Sequence, residues 1–325
     1  MPLSEELRAL AARVSNTGRW GADDQRGTLN LITPDAVKRG AGAVRDGRTF
    51  SLAMQFHAEG PQTGGVPGRV NPEIEVLAAG MSVTGDPGDF TTTDEVVRLG
   101  TQASTHWDAL AHVGYDERLW NDTSLDVVTG AGAVRLGAEH LGSVVTRGVL
   151  LDVARTHGVD RLPGGYPITD TDLDAALAAT GLGVEPGDIV LIRTGQPQTL
   201  RRDDPETDDP STAPRLARQG DDDLYRTDTA GVGVAAIEWF ARHDVAAVAT
   251  DTFVFEVWPC EDPAVLLPVH MIDLRDVGLV QGQLWYLEDL ADDCAADGRH
   301  EFLLSATPLP ITGAAGAPVA PTAVK

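Results

Sequence analysis

The chain has 325 residues, enough to bury a large core as one big domain or two modest ones. Its 42% hydrophobic and 23% charged content is that of a globular protein, and 49 acidic against 25 basic residues leave a net charge of -24, which repels nucleic acid and anionic membrane. Two cysteines, Cys260 and Cys294, neither in a CxxC, exclude a disulfide framework and a cysteine zinc cage and are expected as small buried or surface residues.

At the start, Met1 to Glu6 lacks the basic and apolar regions of a signal peptide, and no run approaches 18 apolar residues, so a cytoplasmic location is expected. Leu3, Leu7, Leu10, Ala11 and Val14 recur at helical spacing until Asn16-Thr17-Gly18 stops them. The polar, glycine-punctuated loop from Trp20 to Asn30 leads to Thr33-Pro34-Asp35, an N-cap with proline at N1, for a helix to about Val44. Thr49 to Phe56 alternates as a strand, ending at His57, which reads as a structural or rim residue. From Ala58 to Phe90 glycine and proline predict a long loop or a hairpin covering something, with Asp86-Pro87-Gly88-Asp89 as a turn. Asp94 to Leu99 then enters the densest stretch of chemistry as a strand.

That stretch is Gln102-Ala103-Ser104-Thr105-His106-Trp107-Asp108-Ala109-Leu110-Ala111-His112. If it starts as a strand, Gln102, Ser104, His106 and Asp108 share one face while Thr105 and Trp107 take the other. If the chain turns helical after Asp108, the four-residue step brings His112 back over the carboxylate. Imidazole plus carboxylate suits zinc, manganese or iron, and the glutamine oxygen is a weaker ligand that fits a harder ion. The competing reading of each His or Asp is a hydrogen-bonded core or surface residue, and the density of the cluster is what favours a metal.

Beyond it, Gly114 to Asn121 reads as a turn with aromatics on either side. Val149 to Ala154, Ile189 to Gly195 and Val245 to Thr250 are short apolar runs expected as buried strands. Between them, Thr169-Asp170-Thr171-Asp172 opens a helix that Gly181 ends, and Gly231 to Arg242 forms another, the rhythm of an α/β layer. Eight acids (Asp203, Asp204, Glu206, Asp208, Asp209, Asp221, Asp222, Asp223) mark a solvated loop over about 201–223 without EF-hand spacing. The third strand delivers Asp251 and Thr252 at its C-terminal end, where α/β sheets meet ligands, and Phe253, Glu256 and Trp258 follow. His270 and Gln283 form a second possible ligand pair. From Ala306 onward, four prolines predict an extended tail on the surface or on a neighbouring subunit. Gly80 to Gly85 misses the nucleophile elbow by one residue, and Gly231 to Ala236 follows no strand, so neither a serine hydrolase nor a dinucleotide site is supported.

Taken together, these residues resemble the cyclase superfamily of bacterial kynurenine formamidase and isatin hydrolase. The family motif HxGTHxDxPxH lies in register with Gln102 to His112, and Trp20 to Asn30, Asp108 to Asp116, Pro186 to Gly195, His270 and Gly282-Gln283 match in order, so the resemblance spans nearly the full length as one domain, 1–325. It implies an α/β, swivelling β/β/α fold with a mixed sheet and surrounding helices, a homodimer or homotetramer, and a metal-dependent hydrolase of amides, lactams or lactones. By position, His106 and Asp108 match metal ligands, His112 the histidine that ligates or acts as general base, and His270 the later histidine of the site. This sequence departs at Gln102, where the family has histidine, at Gln283, where it has an acid, and at Ser104 and Leu110, which alter loop shape. The departures imply one ion, zinc or manganese, on His106, Asp108 and Gln102, with His270 and Gln283 near it. Trp107, Tyr115, Asp251, Phe253, Glu256 and Trp258 are the candidates to contact a flat small-molecule substrate. A non-hydrolytic lyase, isomerase, cyclase or small-molecule binder is the alternative that the two glutamines keep open.

Overall fold

The structure, a computed structural model, describes residues 3–202, 209–217 and 228–325. Its frame is one nine-stranded mixed sheet. Seven α-helices are α1 (Glu5–Val14), α2 (Pro34–Ala43), α3 (Val153–Thr156), α4 (Asp170–Thr180), α5 (Ala236–Arg242), α6 (Pro268–Ile272) and α7 (Glu288–Asp297). Of the strands, β1 (Thr49–Ser51) belongs to the sheet, whereas β2 (Glu73–Ser82) and β3 (Thr91–Arg98) form a separate hairpin. The sheet is completed by β4 (His106–Asp108), β5 (Val145–Asp152), β6 (Ile189–Arg193), β7 (Ala247–Thr250), β8 (Val280–Gln283), β9 (Glu301–Ser305), β10 (Gly316–Pro318) and β11 (Thr322–Val324).

Four parallel strands, β5, β6, β7 and β8, make the centre. Antiparallel strands extend it on both sides, giving the order β1, β11, β9, β5, β6, β7, β8, β4, β10. The central runs are apolar at every position because both faces are covered. Val149, Leu151, Val190, Ile192 and Val248 pack under α1, α4 and α5, while Leu150, Ile189, Leu191, Ala247 and Ala249 face Trp107, Trp285, Leu287 and Phe302. Helix α4 begins as its sequence requires, with a reciprocal capping box between Thr169 and Asp172, and ends at Gly181 in the left-handed region.

Two expectations need correction. The run Thr49 to Phe56 is a ladder strand only over Thr49–Ser51; beyond it the Leu52 N–H donates to the Pro321 carbonyl and the Gln55 N–H to the Pro214 carbonyl, outside any strand. The tail from Ala306 lies on the surface only in its first part, where Leu309 and Ile311 are exposed. It supplies β10, the outer neighbour of β4, and β11, which sits between β1 and β9, so Ala317, Ala323 and the Lys325 side chain are buried. Its prolines are compatible with this, since Pro318 lies on an edge strand. The acidic loop of 201–223 falls largely outside the described residues. Among the described residues, no helix is long and apolar enough to cross a membrane.

Candidate active site

Strand β4 carries the motif. His106 and Asp108 point to one face, and Trp107 points to the other, where its indole stands edge-on to Trp285 with centroids 4.8 Å apart and donates to the Ala306 carbonyl at 2.8 Å. Such close packing needs Gly282 opposite Trp107, since a Cβ there would lie 2.6 Å from Ala249 and 2.9 Å from Trp107. Register places Gln283 across from His106 on the chemical face.

After Asp108 the chain forms a tight turn and not a helix, with the His112 N–H donating to the Ala109 carbonyl at 2.9 Å. The turn serves the same end, because His112 Nε2 comes within 3.7 Å of Asp108 Oδ1, and His106 Nε2 stands 3.6 Å from that oxygen. Gln102 lies on the loop before the strand. Its amide reaches back to donate to Asp108 Oδ1 at 2.8 Å, and its nitrogen is 3.0 Å from His112 Nδ1. Gly316 makes room for it, as a Cβ at that position would lie 2.9 Å from the Gln102 side chain. Gln283 donates to Asp108 Oδ2 at 2.6 Å, with its nitrogen 3.2 Å from His270 Nε2. The buried carboxylate is therefore held on both oxygens by amides.

Burial sets the charge states. His106 is pushed down to about 4 by burial, against the pull of Asp108, so its ring is neutral at pH 7. Its Nδ1 lies 2.7 Å from the Ser104 carbonyl, which makes that nitrogen the donor and leaves Nε2 as a lone pair facing the cavity. His112 is also lowered by burial. For Asp108, burial works upward but the three imidazoles of His112, His106 and His270 outweigh it, and the carboxyl sits below its ordinary value. Burial also opposes a charge on His270, but Glu256, 2.5 Å from Nδ1, prevails and raises it. Glu256 is buried and accepts from the Val269 and His270 N–H groups at the start of α6.

His106, Asp108, His112, His270 and Gln283 form the floor of a cavity of about 870 Å³. Phe253, Val254, Trp258, Leu266 and Leu267 make an apolar wall, and the loop Thr63 to Pro67 with Arg69 completes the lining. Of the residues expected to touch substrate, Phe253 and Trp258 line this cavity, whereas Glu256 stands behind His270. Three others lie elsewhere. Trp107 is in the core. Tyr115 donates to Asp276 at 2.8 Å beside α1. Asp251 is buried and accepts from the Thr194 and Gly195 N–H groups and the Thr194 hydroxyl, fixing the end of β6. The loop falls in the stretch Ala58 to Phe90, expected to cover something, but Arg69 itself is not among the residues that the sequence points to. The signal was Thr63-Gly64-Gly65-Val66-Pro67-Gly68-Arg69, a basic residue closing a glycine-rich segment just before a hairpin.

The cyclase family model matches residues 32–257. The chain belongs to the cyclase family. A crystal structure described as a novel cyclase is 37% identical, with 97% of this chain and 99% of that chain covered and a TM-score of 0.82. Isatin hydrolase A from Labrenzia aggregata, bound to benzyl benzoate, is 17% identical over 87% of this chain and 94% of its own, with a TM-score of 0.58. Isatin hydrolase A from Ralstonia solanacearum is 18% identical over 99% of this chain and 98% of its own, with a TM-score of 0.57. These two share the fold. Among curated proteins, none matches the sequence significantly.

The cyclase donors can be tested against a divalent ion on their own geometry. Ligands about 2.1 Å from one ion stand roughly 3.0 to 3.4 Å apart, and 3.6 and 3.7 Å from Asp108 to the two imidazoles exceed that slightly. Among the described residues, His, Cys, Asp and Glu alone make no set of three that closes on an ion. The Gln102 and Gln283 amides fill the gaps on either side of Asp108, and each carries an oxygen as well as a nitrogen at its tip. Both amides turn their nitrogen to Asp108, so either oxygen would join His106 and Asp108 on an ion only with the amide turned over.

Proposed function

We propose that this cyclase-family protein is a metal-dependent hydrolase of a small amide, lactam or lactone. The observation that carries the reading is the convergence of the neutral His106 ring, the Asp108 carboxylate and His112 on the floor of a cavity with one apolar wall. A zinc or manganese ion on His106, Asp108, Gln102 and Gln283 would supply Lewis acidity, polarising the substrate carbonyl and acidifying a water. His112, the most solvent-accessible imidazole of the cluster and lowered by burial, is placed to take the water's proton. The resulting imidazolium lies beside Asp108, which stabilises its charge until the proton passes to the leaving nitrogen or oxygen. Glu256 holds His270 so that Nε2 faces the cavity, and Phe253 and Trp258 offer flat surfaces to an aromatic substrate.

The test combines metal analysis with a panel of formyl-anilines, isatin-like lactams and unsaturated lactones. A chelator should abolish turnover and added zinc or manganese restore it, while His112→Ala should lower kcat by about 10²- to 10⁴-fold with metal content unchanged. Full activity of the metal-stripped protein would overturn the reading. A second reading has its own observation, since amide donors on both Asp108 oxygens satisfy the carboxylate without a cation. It is a metal-free lyase, isomerase, cyclase or small-molecule binder, and a protein that purifies without metal and takes up none would establish it.

A further inference from the structure

The loop that carries Arg69 is braced against the segment leading into β4. Gln62 donates to the Ala103 carbonyl at 2.8 Å, and Asn71 closes the loop on itself, accepting from the Gln62 N–H at 2.9 Å and donating to the Gly60 and Gln62 carbonyls at 3.1 Å. A turn within it, with the Arg69 N–H donating to the Val66 carbonyl at 3.1 Å, sets the arginine at the cavity. Gly100 leaves room for the stem, since a Cβ there would lie 2.9 Å from Arg69 Cγ. The half-buried side chain therefore enters the site from a fixed position.

What this cation faces follows from its neighbours. Among the described residues that line the cavity, Arg69 is the one permanent cation and Asp108 the one carboxylate. After burial, which dominates, the charge of Arg69 adds to what holds His106 and His112 low, so the guanidinium acts on the same space as those two imidazoles. Support of Gln102 does not account for its place. Arg69 Nη2 is 3.5 Å from the Gln102 amide oxygen, at the limit of a hydrogen bond, whereas Gln102 donates to Asp108 at 2.8 Å and has its nitrogen 3.0 Å from His112.

We infer that Arg69 determines specificity at this site and that the substrate carries a carboxylate in addition to the carbonyl that is attacked. A guanidinium offers a planar carboxylate two parallel N–H donors. A chain with a net charge of -24 repels anions at a distance, so a guest bearing a carboxylate needs a local cation, and a neutral guest has no use for one. One guanidinium beside Asp108 matches a single negative charge and not the nearly double charge of a phosphate. Phe253 and Trp258 then take the apolar body of the molecule. The attacked carbonyl rests on the proposed hydrolase activity; the anion site does not.

Calorimetric titration of the full chain with benzoate and its neutral isostere benzamide tests the site, with metal content measured alongside in wild type and variants. Wild type should bind benzoate about tenfold or more tighter than benzamide. Arg69→Gln should abolish that preference, and Arg69→Lys should keep part of it, because the charge remains without the fork. Equal or undetectable binding of the two probes by wild type, or a preference that survives in Arg69→Gln, overturns the assignment. Inorganic phosphate that displaces benzoate at a lower concentration than benzoate itself requires would overturn the carboxylate as the class. Where a formyl-aniline is turned over, a carboxylate on its ring should lower KM about tenfold in wild type, and Arg69→Gln should remove the advantage. Absence of turnover across the panel would count against the hydrolase and leave the two probes to decide on Arg69.

Discussion

At the scale of single residues, the site turns on how Asp108 is satisfied. A buried carboxylate needs partners on both oxygens, and here two neutral amides provide them. Replacing Gln283 by Glu would set a second acid 2.6 Å from Asp108, a pair of like charges that a cation relieves. Gln283→Glu, and Gln102→His beside it, should each tighten retention of zinc by about tenfold or more, read by competition with a chromophoric chelator. Weaker retention in both variants would mean that the amides are the better ligands for this ion. Burial divides the other acids by task. Glu256 serves His270, whereas Asp251, although it follows a sheet strand at its C-terminal end, is spent on the turn after β6.

Among the elements, those whose residues solve a local problem were legible in the sequence. Thr33-Pro34 and the Thr169 to Asp172 box announce α2 and α4, and the apolar runs announce β5, β6 and β7, because caps and two-sided burial leave local marks. The four-residue return of His112 onto Asp108 was legible too, although a turn delivers it. Long-range pairing left no such mark. Nothing in Gly316-Ala317-Pro318 says that it borders His106-Trp107-Asp108, and nothing in Tyr115 or Asp251 tells a cavity-lining side chain from one bound to Asp276 or to a neighbouring backbone. The tail therefore carries a prediction at this scale. Ending the chain after Gly313 removes β10 and β11 and should lower the melting temperature by ~10 °C or more, since several kcal/mol of sheet and core contacts go with them. A truncated protein that melts like the full chain would show that the site strand needs no outer neighbour.

For the whole molecule, buried titratable groups give stability a pH dependence with opposing parts. His106, lowered from its ordinary 6.5 to about 4, is protonated more readily in the unfolded chain, so its contribution is present above 6.5 and is lost as pH falls towards 4. Asp251 and Asp273 are raised from 3.8 to about 7 and about 8, chiefly by burial, so their contribution is present at low pH and is lost as pH rises through those values. Between pH 4 and 6.5 the imidazole offsets one of the two carboxyls, which leaves a shallower decline. Above 6.5 the imidazole no longer contributes a slope, and stability should decline up to about pH 8. Urea unfolding from pH 6.5 to 8.5 checks this, and Asp273→Asn should flatten the decline; an equally steep slope in that variant would assign it elsewhere.

The order in which the strands are made has its own consequence. Strand β4 is synthesised in the first third of the chain, yet its inner neighbour β8 and its outer neighbour β10 come from residues beyond 279. Pairings that span so much sequence form late and slowly. During translation His106 and Asp108 wait without either neighbour until Val280 to Gln283 has been made. A nascent chain stalled before Gly316 would hold every ligand of the site and still lack the strand that closes it.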